Sequence, residues 1–466
     1  MAFKLNGGVI TIGSLFWQDK QKKGGYNIRK NWREKHLDME NFKSVSVPIR
    51  YGRLSGSTEK GNEIYTMIFD QSIPYDHQGK AKAIPFKKQP TSWESLKTEV
   101  KLMSCAEGSG EQFIKWAKKN QQVWCVCGIL FNPESKLLNK ALKADILNNW
   151  ENALKESEQG RDIFFSDPAM YSLSQKGELQ IPWPKEVKGL DYLVAASTLP
   201  STHKVSEKEV VSRIKNRPYF MPNFLHGIGT SQDRMIIKEL ANDMYLTQTL
   251  FKRTVEAYFR KMQNDTTHRY WSWDHCRKVF LGDYKPDYKM IHLANYLASW
   301  GMYRGSGGLL QKSYQIHGEA LKILMYKDYV PLICKNDTEM SKEKIDLLMQ
   351  LKNKLSSYYE SVVYEQMGSF NNISTTDTLI SKILLGTFSC IPAYDQFFVK
   401  GLKMCGVEGR KFNNNGIEVL FDWYEKNGIH KVVNCLNEEI RKFPLMKLLD
   451  MHFWSLGYNM TIIEKK

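Results

Sequence analysis

The 466-residue chain carries a formal net charge of +16, with 42% hydrophobic and 12% aromatic residues. That composition excludes a disordered chain, and the length exceeds one ordinary core, predicting two or three domains. No run of about 18 apolar residues and no leader-like N-terminal pattern occurs, so the expected location is the cytoplasm, without membrane association.

Positive charge is densest in the first 53 residues, with 11 basic against 4 acidic side chains. Such an excess points to a polyanionic partner, nucleic acid, because phosphate neutralisation supplies most sequence-independent affinity. The eight cysteines are scattered without a CxxC pair, which predicts neither a metal site nor a cofactor.

In chain order, residues 9–17 (VITIGSLFW) read as a buried strand bent at Gly13. Residues 28–36 (IRKNWREKH) interleave cations with an indole, so Arg29, Lys30, Trp32 and Arg33 are candidate nucleic-acid contacts. Further strands are expected at 44–54, 63–69, 81–86 and 123–131, and helices at 93–106, 112–119 and 137–154. Loop signals accumulate from Ser157 to Lys188 and again from Arg217 to Met235, which places a domain boundary near residue 225. Beyond it, helical periodicity dominates to the C-terminus. The expected fold class is α+β: residues 1–225 as a mixed β-barrel or sheet with helices, and 226–466 as an all-α domain.

Three stretches carry candidate chemistry. Residues 298–308 (ASWGMYRGSGG) place four glycines beside Trp300, Tyr303 and Arg304, followed by Gln311; close backbone approach with stacking and hydrogen-bonding groups suits a pocket for a flat heterocycle. Lys447 and Asp450 lie three residues apart, a helical ion-pair spacing, and Lys447 is a further candidate nucleic-acid contact. Lastly, an apolar run from Leu379 to Phe388 leads through Ile391-Pro392-Ala393 and Tyr394 to a lone carboxylate, Asp395, which opens a second apolar helix. A carboxylate at that position is favoured by the helix dipole.

This order of apolar helix, proline turn and aspartate resembles the helix-hairpin-helix DNA glycosylases over about thirty residues. The resemblance implies that Asp395 stabilises an oxocarbenium-like sugar and orients water. It also implies that Trp300, Tyr303, Arg304, Gln311 and Tyr394 receive the extruded base. Double-stranded DNA is then the expected ligand, and excision of an unusual or modified base, for instance in phage DNA, the expected activity. The stretch Phe370–Thr376 lacks the family's hairpin glycines, and no lysine occupies the hairpin position of lyase-competent members, so a monofunctional hydrolase is implied.

The turn Ile12-Gly13-Ser14-Leu15 is similar to the first loop of the gamma-glutamyl cyclotransferase-like fold, with Ile12 where that family has tyrosine. It implies an alternative small-molecule site at Gly13 and Ser14 with Glu63, Glu99 or Glu107 as acid/base. A non-enzymatic nucleic-acid-binding protein is the remaining alternative.

Overall fold

The computed structural model describes residues 2–19, 27–56, 63–108, 110–116, 123–158, 167–200, 204–214, 220–304, 307–334 and 340–465. They cluster into two compact units, Met1–Glu239 with Asn459–Lys466, and Leu240–Tyr458. No helix among them is long and apolar enough to cross a membrane.

The first unit is built on a six-stranded mixed sheet of order β2-β5-β1-β8-β7-β6. Its strands are β1 (Gly7–Thr11), β2 (Lys43–Val47), β5 (Gly79–Pro85), β6 (Ile114–Trp116), β7 (Val123–Phe131) and β8 (Tyr192–Thr198). Strand β1 runs antiparallel to β5 and parallel to β8. Two further strands, β3 (Ile49–Gly56) and β4 (Glu63–Phe69), form a separate antiparallel ladder. The edge strands β2 and β6 do not pair, so the sheet is open and the barrel alternative is not formed. Apolar side chains such as Val9, Ile84, Val126, Ile129 and Val194 are fully buried, as expected where a sheet is covered on both faces.

Helices of this unit are α1 (Ser14–Trp17), α2 (Ile28–His36), α3 (Trp93–Glu107), α4 (Lys140–Glu158), α5 (Glu207–Ile214), α6 (Phe220–Leu225) and α7 (Asp233–Leu240). Two expectations are corrected here. The strand expected over 9–17 stops at Thr11, and Ser14–Trp17 turns helical, the N–H of Phe16 bonding the carbonyl of Gly13. The helix expected at 112–119 is instead strand β6 over Ile114–Trp116, because Ile114 and Lys115 find backbone partners in Val126 and Cys125; residues 117–119 lie outside the described residues. Strand β8 falls in YLVAAST, a run for which no element was expected.

The second unit is mostly helical: α8 (Met244–Asn264), α9 (Trp271–Leu281), α10 (Pro286–Ser299), α11 (His317–Leu324), α12 (Lys342–Ser361), α13 (Asp377–Thr387), α14 (Gln396–Met404), α15 (Asn414–Lys426), α16 (Ile429–Asn434), α17 (Glu438–Arg441) and α18 (Leu445–Glu464). It is not all-α. Strands β9 (Val363–Gln366) and β10 (Ser369–Asn372) form a hairpin where helix and loop were expected. Its two-residue turn, Met367-Gly368, takes positive φ at both positions, the conformation that matches strand twist in a tight hairpin.

Candidate functional site

The stretch around Asp395 folds as its pattern demands. Thr376 caps α13 by accepting from the N–H of Leu379 at 3.2 Å. The apolar run then buries from Leu379 to Phe388, with one cation, Lys382, buried inside it. Ser389 ends the helix at φ +53, its hydroxyl donating to the carbonyl of Leu385 at 2.8 Å. Asp395 then caps α14: Oδ1 accepts from the backbone N–H of Phe397 and Phe398, both at 3.0 Å.

The other carboxylate oxygen has a different partner. Oδ2 of Asp395 lies 3.3 Å from Nζ of Lys382 in an ion pair with side-chain exposures of 4% and 10% for lysine and aspartate. A second buried pair lies alongside, Lys447 Nζ donating to Asp450 Oδ2 at 2.8 Å. Asp450 Oδ1 also accepts from the N–H of Ala393 at 3.1 Å, tying the proline turn to α18. Burial pushes the Lys382 amine down and the Asp450 carboxyl up, each opposed by its own partner.

Two glycines fix the crossing of α14 and α18 that creates this proximity. A Cβ at Gly401 would lie 2.0 Å from the carbonyl oxygen of Phe453, and one at Gly457 would lie 1.9 Å from that of Phe397. Backbone-to-backbone contact of this kind leaves no room for a side chain. It sets α14, whose first turn Asp395 caps, directly against the α18 segment that carries Asp450 and Trp454.

Aromatic rings fill the rest. Tyr258, Tyr270 and Trp300 form a parallel column, with centroids 3.9 Å and 5.7 Å apart and interplanar angles of 6° and 8°. Trp454 stands edge-on to all three, at 85° to 89°. Three cations address the half-exposed Trp300 ring: Arg269 at 4.7 Å, Lys382 at 5.3 Å and Lys447 at 5.8 Å. Lys382 also donates to the Trp300 carbonyl at 3.3 Å. With Asp395 and Asp450 as the carboxylates of the cluster, its formal charge is positive. The indole N–H groups of Trp300 and Trp454 are buried without an acceptor among the described residues. Leaving such a donor unmet costs about 1–3 kcal/mol, which an acceptor atom brought within reach would offset.

The sequence-predicted residues distribute as follows. Asp395, Trp300 and Lys447 meet in this cluster. Tyr303 bonds instead to Nε2 of the buried His317 at 2.8 Å, and His317 Nδ1 reaches the Tyr359 hydroxyl at 2.7 Å. Arg304 and Gln311 are exposed, and Gly305 and Ser306 lie outside the described residues. Tyr394 is buried, its ring 5.7 Å from Phe412 and its backbone N–H bonded to Ser381 Oγ at 2.8 Å.

In the first unit, three of the four candidate contacts on α2, Arg29, Trp32 and Arg33, are buried, and of the four only Lys30 is exposed. Arg29 bonds Ala106 O at 2.8 Å, Ser14 Oγ at 3.0 Å, Gln18 Oε1 at 2.8 Å and Glu107 Oε2 at 3.2 Å. Arg33 bonds the carbonyls of Leu15 and Gln18 and pairs with Asp19. Both guanidiniums therefore clamp the chain around Ser14. Gly13 and Ser14 lie in that clamp, whereas an open groove of ≈710 Å³ in the same unit is walled by residues such as Phe131 and Trp183.

Sequence reasoning missed Lys382, Arg269 and Tyr270. Lys382 had a signal, as the one cation within an otherwise apolar helix. Arg269 and Tyr270 lie over a hundred residues from Asp395, and nothing local marks them. Compared with protein-family models, with curated proteins and with solved structures, the chain matches none.

Proposed function

We propose that the second unit is a DNA glycosylase that excises an unusual or modified base from double-stranded DNA, with phage DNA as one source of such bases. The observation that carries this reading is Asp395 itself. Its Oδ1 is fixed by two helix N–H groups, while Oδ2 pairs with Lys382, whose amine also reaches the ring and carbonyl of Trp300. A carboxylate held in that way is pre-oriented to stabilise an oxocarbenium-like sugar and to align water, with no reorganisation at the moment of reaction. Trp300 offers a face for the extruded base, and unmet indole donors suit its acceptor atoms.

The test is incubation of plain and modified duplexes with the protein, followed by alkali to reveal abasic sites. Asp395→Asn keeps a helix-capping side chain while removing the charge, and is expected to lower excision about 100-fold or more. Full activity in that variant, or no abasic sites on any duplex, sinks the proposal. Lys382 adds one discriminating arm, because an amine 3.3 Å from Asp395 is a potential Schiff-base nucleophile. A monofunctional enzyme gives no covalent adduct on borohydride reduction; an adduct lost in Lys382→Met would make it a lyase.

A further inference from the structure

Arg269 stands apart from the other cations of the cluster. Lys382 and Lys447 are buried and each has a carboxylate within 3.3 Å. Arg269 is exposed, and its guanidinium joins no ion pair among the described residues; its contacts there are with rings, 4.7 Å from the Trp300 centroid and 5.7 Å from that of Trp454. It belongs to the short connection between α8 and α9, whose next residue, Tyr270, is buried in the aromatic column. The backbone at Arg269 is therefore anchored while its side chain reaches solvent.

Two further facts bear on what this side chain does. The Trp300 ring has Tyr270 stacked at 5.7 Å, the buried amines of Lys382 and Lys447 at 5.3 Å and 5.8 Å, and the exposed guanidinium of Arg269 at 4.7 Å, so Arg269 is the neighbour of the ring that solvent reaches and that can leave it without breaking an ion pair among the described residues. The indole N–H groups of Trp300 and Trp454, the two rings that Arg269 touches, have no acceptor among the described residues. A guanidinium and two N–H groups make a set composed wholly of donors, which complements phosphate and carbonyl oxygens.

We infer that Arg269 is the phosphate-operated gate of this site. A nucleic-acid phosphate draws the guanidinium off the indole into forked hydrogen bonds, and the uncovered Trp300 ring then receives a base. The exchange runs in that direction because a solvent-facing cation–π contact is weak beside charge-assisted bidentate hydrogen bonds. The inference deepens the proposed function and rests on it, and it assigns Arg269 a positioning role rather than a chemical one.

The experiment compares wild type with Arg269→Gln and Arg269→Lys, using a fluorescein-labelled duplex, a single-stranded oligonucleotide and a free nucleoside without phosphate. Arg269→Gln is expected to weaken the oligonucleotide and the duplex about ten-fold at low salt. It should also reduce the slope of log affinity against log salt by about 0.9, the loss of one phosphate contact. The nucleoside should show the opposite sign and bind the Gln variant more tightly, since the ring is uncovered and no phosphate is lost. Arg269→Lys should keep the salt slope while losing part of the affinity. An unchanged slope in Arg269→Gln, or equal weakening of nucleoside and oligonucleotide, overturns the gate. If the wild type binds none of the three probes, the nucleic-acid reading itself falls. Because Arg269 is exposed, an unaltered thermal midpoint verifies that the variants are folded.

Discussion

The two units pair each buried cation with a carboxylate but differ in what else surrounds it. In the first, Arg29 and Arg33 spread their donors over several fixed neighbours, carbonyl, amide and hydroxyl oxygens of adjoining segments together with one carboxylate each, Glu107 and Asp19. In the second, Lys382 and Lys447 each face one carboxylate and share an indole with an exposed arginine. The first arrangement ties each guanidinium to several fixed partners, which leaves it little freedom to meet a ligand. The second keeps two indole N–H groups without an acceptor among the described residues and an exposed arginine, groups that a ligand can engage. Burial of a charge is thus no guide to function until its partners are counted.

The sharpest way to break the comparison is Asp450→Asn, which strands Lys447 in a site with 1% side-chain exposure. Removing one member of a buried pair costs about 3–5 kcal/mol, read as a shifted urea midpoint. Adding Lys447→Met to that variant is expected to recover most of the loss, because the uncompensated charge is gone.

Titration separates the units next, with opposite signs. In the first unit the Asp233 carboxyl is fully buried; Oδ1 accepts from Thr230, while Oδ2 has no hydrogen bond of good geometry and the Tyr51 hydroxyl as neighbour. Burial pushes it up to about 7 from an ordinary 3.8. The folded state therefore holds a proton that the unfolded chain releases, and stability falls as pH rises from about 4 to 7, by up to ~4 kcal/mol. Asp233→Asn should flatten that slope. In the second unit burial pushes His452 down to about 3 and His317 down to about 4. Here the unfolded chain takes up the protons, so stability is lost as pH drops below about 6.5; for His452 alone this reaches about 3 kcal/mol near pH 4.5. Hydrogen exchange read peptide by peptide against pH should show the first trend around Asp233 and the second around His452 and His317, and a common sign at these three sites would refute the assignment.

The smallest effect sharpens the clamp. Arg29→Met should cost about 2 kcal/mol or more through its lost buried bonds, whereas Lys30→Gln, one residue along the same helix but exposed, should leave the unfolding midpoint unmoved. Equal effects would mean that the guanidinium is not a clamp.

Much of this was legible in the chain. The α+β class, strands β4 and β7, helix α3 and the helix–turn–helix around Asp395 all follow from periodicity and capping chemistry, which are local. Strand β6 escaped because a three-residue edge strand is defined by its partner, not by its own pattern. The same holds for α2: its alternation of cations and indole gives no hint which side faces inward, and Arg29, Trp32 and Arg33 turned out to line the buried face.

For the candidate site the division is similar. The sequence by itself determined that Asp395 would begin a helix after an apolar run and that Trp300 would close another, because helix starts and stops depend on side chains a few residues away. Only the tertiary structure decided that they share a neighbourhood, that Lys382 is the cation opposite Asp395, and that Lys447 and Asp450 pair inside rather than on the surface. Those facts depend on two backbones touching at Gly401 and Gly457, and a contact between distant segments leaves no mark on the residues around either one.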